Sequence, residues 1–414
     1  MVKSDREVRA LAKRIVFHID VNSAFLSWTS VQRVKEGKSD LRLVPAVISG
    51  DPDKRTSVVL AKSVPAKKYD IKTGEPLSMA LRKCPNLLTA LPDYKLYSKF
   101  SRQFMDICRE YTPCLEKFSI DECFLDMSGM EQVYPDIIAT AYEIKNRIKK
   151  ELGFTVNVGI GSNKLLAKTA SDFEKPDKVH TLFSNEIERK MWPLPVRDLL
   201  FLGKASAQKL EKLYIKTIGD LAHADINMLK ATVGNKAGEQ MHNFANGIDD
   251  SPVDDSPREV KSYGHSITVE ENVTDRNTAN RLLLSLTDAA ASRMRADGLR
   301  AYNISVTIRD NHFKNRSHQR RLDSPTDITQ DIYSVVKSLF AELWNTKTPL
   351  RLLGVSLSDL TRDSGEQLSL FGSSAENSDK KHKVDAAVDA IRNKFGDSTI
   401  LLGSTMNTKR PKKK

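Results

Sequence analysis

A short apolar run that stops on a carboxylate constrains this chain more than any other feature. Arg14-Ile15-Val16-Phe17-His18-Ile19-Asp20 reads as a buried strand with an acid at its end. Much further along, Asp121 and Glu122 stand side by side between two apolar strands, Leu115 to Ile120 and Cys123 to Met127. A tight hairpin tip ordinarily takes Asn-Gly or Asp-Gly, and two adjacent carboxylates repel each other there. A divalent cation removes that repulsion, and magnesium favours carboxylate oxygens combined with substrate phosphates. Spacing alone also admits a plainer reading, in which Asp20 caps a helix and residues 121–122 form a solvated turn.

The surrounding pattern is a mixed one. Strands at Val44 to Ser49 and Thr155 to Ile160 alternate with helical periodicity at Tyr97 to Tyr111, Pro135 to Leu152 and Asn163 to Ser171, which predicts one α/β or α+β domain to about residue 180. Leu194 to Asn246 turns helical. The proline-bearing acidic stretch from Asp249 to Pro257 predicts a linker. Strands at Lys261 to Val269, Tyr302 to Arg309, Ser317 to Leu322 and Leu350 to Leu357 make a further mixed unit. Past Ser358 a flexible polar tail is predicted, helical only at Val384 to Phe395.

With 414 residues the chain needs two to four domains, and its net charge of +12 asks for an anionic partner, nucleic acid before lipid. Cys84, Cys108, Cys114 and Cys123 form no Cys-x-x-Cys pair and suit a reducing compartment. No signal peptide is evident, and no apolar run approaches the ~20 residues that span a bilayer. A soluble, cytoplasmic protein that binds no membrane is the expectation.

Three segments occur in order: His18-Ile19-Asp20-Val21-Asn22-Ser23-Ala24-Phe25, Phe118-Ser119-Ile120-Asp121-Glu122-Cys123-Phe124-Leu125-Asp126, and Val158-Gly159-Ile160-Gly161-Ser162-Asn163-Lys164-Leu165-Leu166-Ala167-Lys168. Together they resemble the Y-family translesion DNA polymerases in their bacterial form, over roughly residues 14 to 360 and into the tail. The resemblance implies an α+β multidomain right hand. Its parts would be a palm (1–185) with small fingers inserted at about 27–90, a helical thumb with a helix-hairpin-helix (186–248), a linker (249–257), a C-terminal little finger (258–360) and a flexible tail (361–414). It also implies primer-template DNA and deoxynucleoside triphosphates as substrates, two Mg2+ ions, a monomer, and low-fidelity synthesis in DNA repair. A family member acting as a non-catalytic or accessory-dependent mutagenesis subunit is the alternative, though all three acidic positions are kept.

On the same resemblance, Asp20 and Asp121 would hold both metals, Glu122 the catalytic one, and the Val21 backbone carbonyl would complete the nucleotide-side ion. The backbone of Asn22, Ser23, Ala24 and Phe25 would cradle the triphosphate, with Phe25 as the steric gate against ribonucleotides. Asn22 stands where many relatives have Asp. In the fingers, Val64 and Lys67 replace a tyrosine and an arginine, leaving Lys67 to meet phosphate without a bidentate fork. Lys175 would reach the triphosphate from the palm, while Lys168 would support the fold or nearby phosphates.

Gly203 and Lys204 fall in the helix-hairpin-helix, whose first glycine is Phe201 here. Arg293 to Arg321 carries eight basic and two acidic residues; Arg309, Arg316 and Arg320 within it, and Lys261 before it, are candidate DNA contacts. On the strand there, Tyr302, Ile304, Val306 and Ile308 alternate with polar residues. Gln367-Leu368-Ser369-Leu370-Phe371 looks like the peptide that bacterial polymerases insert into the sliding clamp.

Overall fold

The computed structural model describes residues 14–257, 259–362, 375–396, 399–400 and 403. The chain divides into two compact units, Met1–Asp53 with Ser57–Pro257, and Lys54–Thr56 with Arg258–Lys414.

In the first unit the acid-ended run is β1 (Val16–Val21), and it lies in the middle of a five-stranded sheet of order β5-β6-β1-β7-β8. Its antiparallel neighbours are β6 (Glu122–Asp126) and β7 (Val156–Gly161), with β5 (Leu115–Lys117) and β8 (Val179–Leu182) outside them. Strand side chains alternate between faces. Phe17, Ile19 and Val21 therefore enter a core built with α1 (Ala24–Lys35), α2 (Tyr94–Arg109) and α3 (Ile137–Leu152). Val16 meets Ala167 of α4 (Lys164–Asp172) on the other face, which is also the face of His18 and Asp20.

Two glycines let α4 come so close. A Cβ on Gly159 would fall 2.0 Å from the Ala167 carbonyl oxygen, and one on Gly161 would fall 2.6 Å from the Ala167 nitrogen. No other residue fits at either place.

A separate small sheet sets β2 (Ala46–Ser49) between β3 (Val59–Lys62) and β4 (Leu88–Ala90), over its own core of Val47, Val59, Ile71 and Leu77. The insertion expected from residue 27 thus starts later. Trp28 and Val31 are buried in the core of the larger sheet, so α1 belongs to that domain. Four short helices follow as expected: α5 (Lys204–Glu211), α6 (Ile218–Ala222), α7 (Ile226–Val233) and α8 (Asn235–Ala245).

The predicted linker is no loose tether. Val253 is buried against Val16, Phe124 and Ala167, the Asp254 N–H donates to Glu116 at 3.1 Å, and an Asp249 carboxylate accepts from the Leu165 N–H at 3.2 Å. Asp249 accepts a backbone N–H by its carboxylate, while Asp254 gives its own N–H to a carboxylate, roles that composition does not reveal.

The second unit is an antiparallel sheet of order β11-β10-β12-β9, made by β9 (Ser262–Val273), β10 (Arg300–Asp310), β11 (Asn315–Thr326) and β12 (Leu350–Thr361). Ile304, Val306 and Ile308 of β10 pack beneath α9 (Arg276–Ala296) and α10 (Thr329–Leu343). A β-bulge between Ala301 and Asn303 shifts the predicted alternation, so Ala301 rather than Tyr302 is the residue buried with them. The tail is also corrected in part. Residues 375–395 form one helix, α11 (Ala375–Phe395), held by polar contacts. Arg392 donates to Asp288 at 3.0 Å, Arg295 to Asp389 at 2.7 Å, and the Thr329 N–H to Asp385 at 2.8 Å.

Candidate active site

The three acids predicted from sequence meet at one end of the central strands. Asp20 and Glu122 are direct cross-strand partners, and the Val21 N–H donates to the Asp121 carbonyl at 3.0 Å. The Ser119 hydroxyl donates to the Asp121 carboxylate at 2.5 Å. Two lysines close over the group: Lys175 is ion-paired to Asp20 and Lys168 to Glu122.

The two paired carboxyls are held at opposite ends of the titration scale. Burial lifts Asp20 to about 6, against the pull of Lys175. Burial would lift Glu122 too, but hydrogen bonds from His18 and Lys168 outweigh it and bring it down to about 2. Burial lowers His18 to about 4, so the imidazole is neutral near pH 7 and its Nε2 lies 2.9 Å from Glu122. Sequence reading missed His18 as part of the site. The signal was its place two residues before Asp20, on the same face of the strand.

Among the described residues no three His, Cys, Asp or Glu side chains converge tightly enough to hold a metal ion as they stand. The donor set nonetheless suits a hard dication. Three carboxyl groups at adjoining strand ends draw in two ammonium groups, and such oxygens are what magnesium takes.

Beside the acids lies a cleft of about 320 Å³ lined by Asp20, Ser23, Phe25, Lys62, Lys67 and Asp121, among others. That volume falls within the roughly 300–1,000 Å³ of small-ligand sites. Phe25 stacks on Tyr97 with centroids 4.4 Å apart and planes 6° from parallel. Ser23 turns into α1 through a left-handed backbone (φ 48°) without capping the helix by its side chain. The N–H groups of the first turn, Ala24 and Phe25 included, are therefore left without a capping side chain, as anion-binding helix starts require.

Asn22 departs from the expected cradle. Its N–H donates to the Thr155 carbonyl at 3.0 Å as β1 runs against β7, so it is not available for phosphate. Lys67 lines this cleft and a neighbouring one that also includes Val64, Lys175 and Asn22.

Comparison with known proteins gives the family. The impB/mucB/samB family matches residues 19–172, its C-terminal domain residues 260–370, and the DNA polymerase-iota thumb domain residues 198–249. A Clostridium acetobutylicum protein named DNA polymerase IV is 45% identical over 94% of this chain and 97% of its own length. The chain belongs to the Y family. Another relative of the same name, from Clostridium kluyveri, is 37% identical over 94% of this chain and 98% of its own. A Y-family DNA polymerase chimera of known structure has a TM-score of 0.73 at 22% identity, over 84% of this chain and all of the other. The α+β right hand expected from sequence is the fold.

The Y-family parts meant for DNA are met unevenly. Gly203 precedes α5, and a Cβ there would touch nothing within 4 Å, so open space surrounds it, with Lys204 beginning the helix. Phe201, where the resemblance implies a glycine, adopts a left-handed backbone (φ 62°) that favours glycine. In the second unit the basic residues split between two faces. Arg316 and Arg320 pair in register with Ile308 and Ile304, whose side chains face the helices, and Arg320 is bound to Glu342 of α10 at 2.8 Å. They are thus not on the open face, contrary to their grouping with Arg309. Arg309 does lie there, beside Asn315 at 2.7 Å. Lys261 is exposed just ahead of β9. Gln367, Leu368, Ser369, Leu370 and Phe371 lie outside the described residues.

Proposed function

We propose that this chain is a DNA-directed DNA polymerase of the translesion kind, working with two magnesium ions held by Asp20, Asp121 and Glu122, with the Val21 carbonyl on the nucleotide side. Membership of the Y family, through relatives named DNA polymerase IV, supports the activity. The single observation behind the site is the meeting of Asp20, Asp121 and Glu122 at the ends of adjoining antiparallel strands, beside a cleft that Asp20 and Asp121 line.

In the reaction a primer 3′-oxygen forms a bond to the α-phosphorus of the incoming nucleotide. The α–β anhydride bond breaks and pyrophosphate leaves. Bound magnesium would make the 3′-hydroxyl easier to deprotonate and offset charge on the leaving group. The protein's own side chains do the rest. His18 and Lys168 keep Glu122 ionised, so that it presents oxygens and no proton. Lys175, next to Asp20, and Lys67, across the cleft, supply positive charge for the triphosphate. The N–H groups of Ser23, Ala24 and Phe25 receive phosphate oxygens, and the Phe25 ring, backed by Tyr97, occupies the space a 2′-hydroxyl would need.

DNA would be gripped by the hairpin at Gly203 and Lys204 and by Lys261 and Arg309 of the little finger. The Gln367 to Phe371 peptide would dock on a bacterial sliding clamp, and the enzyme would act as a cytoplasmic monomer. No helix among the described residues is long and apolar enough to cross a membrane.

Primer extension by the isolated chain tests the reading. Asp121→Ala and Glu122→Ala are each expected to lower kcat by at least about a thousandfold, the scale of losing a preorganised charge-stabilising group. Synthesis retained by both variants overturns the assignment.

A further inference from the structure

The loop between α4 and β8 carries Lys175, and its backbone is tied to two asparagine side chains. Asn157, fully buried on β7, donates from Nδ2 to the Ser171 carbonyl at 3.0 Å and to the Glu174 carbonyl at 2.6 Å. Its Oδ1 accepts from the Lys178 N–H at 3.3 Å. Asn22, buried at the end of β1, accepts on Oδ1 from the Asp177 N–H at 2.9 Å and from the Thr155 hydroxyl at 2.9 Å. The two amides join through Asn22 Nδ2, which donates to Asn157 Oδ1 at 3.1 Å.

Each amide has one orientation that works. The Asp177 and Lys178 N–H groups are fixed donors, so both Oδ1 atoms must face them. Both Nδ2 atoms are then donors by necessity. Four backbone groups around Lys175 thereby hang from two side chains, one two residues beyond Asp20 and the other directly across from it. Lys175 itself ends on Asp20.

We propose that Asn22 and Asn157 form a polarity-matched pair of positioning residues that fixes where Lys175 meets the triphosphate. This rests on the polymerase reading and adds to it why an uncharged amide is used at position 22. A carboxylate there would keep the acceptor toward Asp177 but place a second acceptor against Asn157 Oδ1. Turning Asn157 over would cure that clash and set its Oδ1 against two carbonyl oxygens instead. A buried acceptor facing an acceptor is costly.

The test is single-nucleotide insertion by the full chain on primer-template DNA, with one correct deoxynucleotide and magnesium. Wild-type extension is the control for the polymerase reading, so failure of that reading is seen there and not in the variants. Asn22→Asp, equal in size to the native residue, is expected to raise the nucleotide KM about tenfold, the effect of one buried hydrogen bond turned repulsive, with kcat held within about threefold. Thr155→Val, which removes one donor and leaves the pair intact, is expected to raise KM about threefold and guards against misfolding of the first variant. Both effects should vanish in a Lys175→Ala background, because the amides act through that ammonium. An unchanged KM in both variants, a loss confined to kcat, or KM effects that multiply with Lys175→Ala overturns the proposal.

Discussion

Burial lifts the Asp20 carboxyl to about 6 from an ordinary 3.8, so at pH 8 it is ionised in both states but less favourably in the folded one. The folded state binds this proton more tightly than the unfolded chain does. Its contribution to stability is complete below pH 4 and is lost as pH rises through 6. Asp20→Asn removes that loss. With chelator present, the variant should be more stable than wild type at pH 8 by on the order of 2 kcal/mol, and the gap should close by pH 4. Glu122 runs the other way. At about 2 against 4.5, it stabilises the fold above pH 4.5 and loses that stabilisation as pH falls toward 2, so Glu122→Gln should be less stable at pH 8. Thermal melts across pH check both; equal shifts of one sign would remove the opposition. At the same scale, Phe25→Ala leaves the Tyr97 face uncovered. It should lower the preference for deoxynucleotides over ribonucleotides at least about tenfold, read as a ratio of kcat/KM values, since sugar selection is a difference in transition-state fit. The acids were legible because adjacent carboxylates between apolar strands make no local sense. His18 and Asn157 were not, since a lone polar residue in a strand acquires its role only from a partner far along the chain.

Strand register decides which arginines can reach a phosphate. On β10 and β11 cross-strand partners share a face, so Arg320 opposite Ile304 stands on the helix side and pairs with Glu342, while Arg309 stands with Ser305 and Thr307 on the open side. Counting charge from Arg293 to Arg321 located the basic region but could not separate these faces. The bulge after Ala301 lies between the strand's start and its regular part, and no sequence signal marked it. Arg309→Ala is expected to weaken primer-template binding evenly across sequences and to reduce the slope of log affinity against log salt by about 1. Arg320→Ala should leave that slope unchanged. Equal slopes in the two variants would contradict the assignment of faces. The Gly159 and Gly161 pattern is the converse case, where the sequence motif was plain and its meaning needed the structure. Both positions are empty so that α4 can bring Lys168 to Glu122.

At the scale of the molecule, the run of short helices after residue 194 and the sheet-and-helix unit beyond residue 261 were readable from periodicity, because their apolar faces pack into cores of their own. What polar sequence does between and after domains was not. The acidic stretch at 249–257 is held by a carboxylate of its own on a backbone N–H and by its own N–H on Glu116, and α11, with few apolar residues, is fixed to the little finger by ion pairs. Arg392 is 3% exposed and its partner Asp288 6%, so this pair is closed from water on the inner side of the helix. A buried pair contributes little net stability when whole, yet removing one member strands the other charge. Arg392→Met removes the hydrogen bond to Asp288 and those to the Ile400 carbonyl, and should therefore lower the stability of the second unit by about 1–3 kcal/mol. Asp288→Asn combined with Arg392→Met takes away both charges of the pair and should recover part of the loss, because the carboxylate no longer faces the missing guanidinium. Differential scanning calorimetry of the full chain would follow both variants. A double variant no more stable than the single one would mean that α11 is held by its remaining contacts, Arg295 to Asp389 and Thr329 to Asp385, and not by the Arg392 pair.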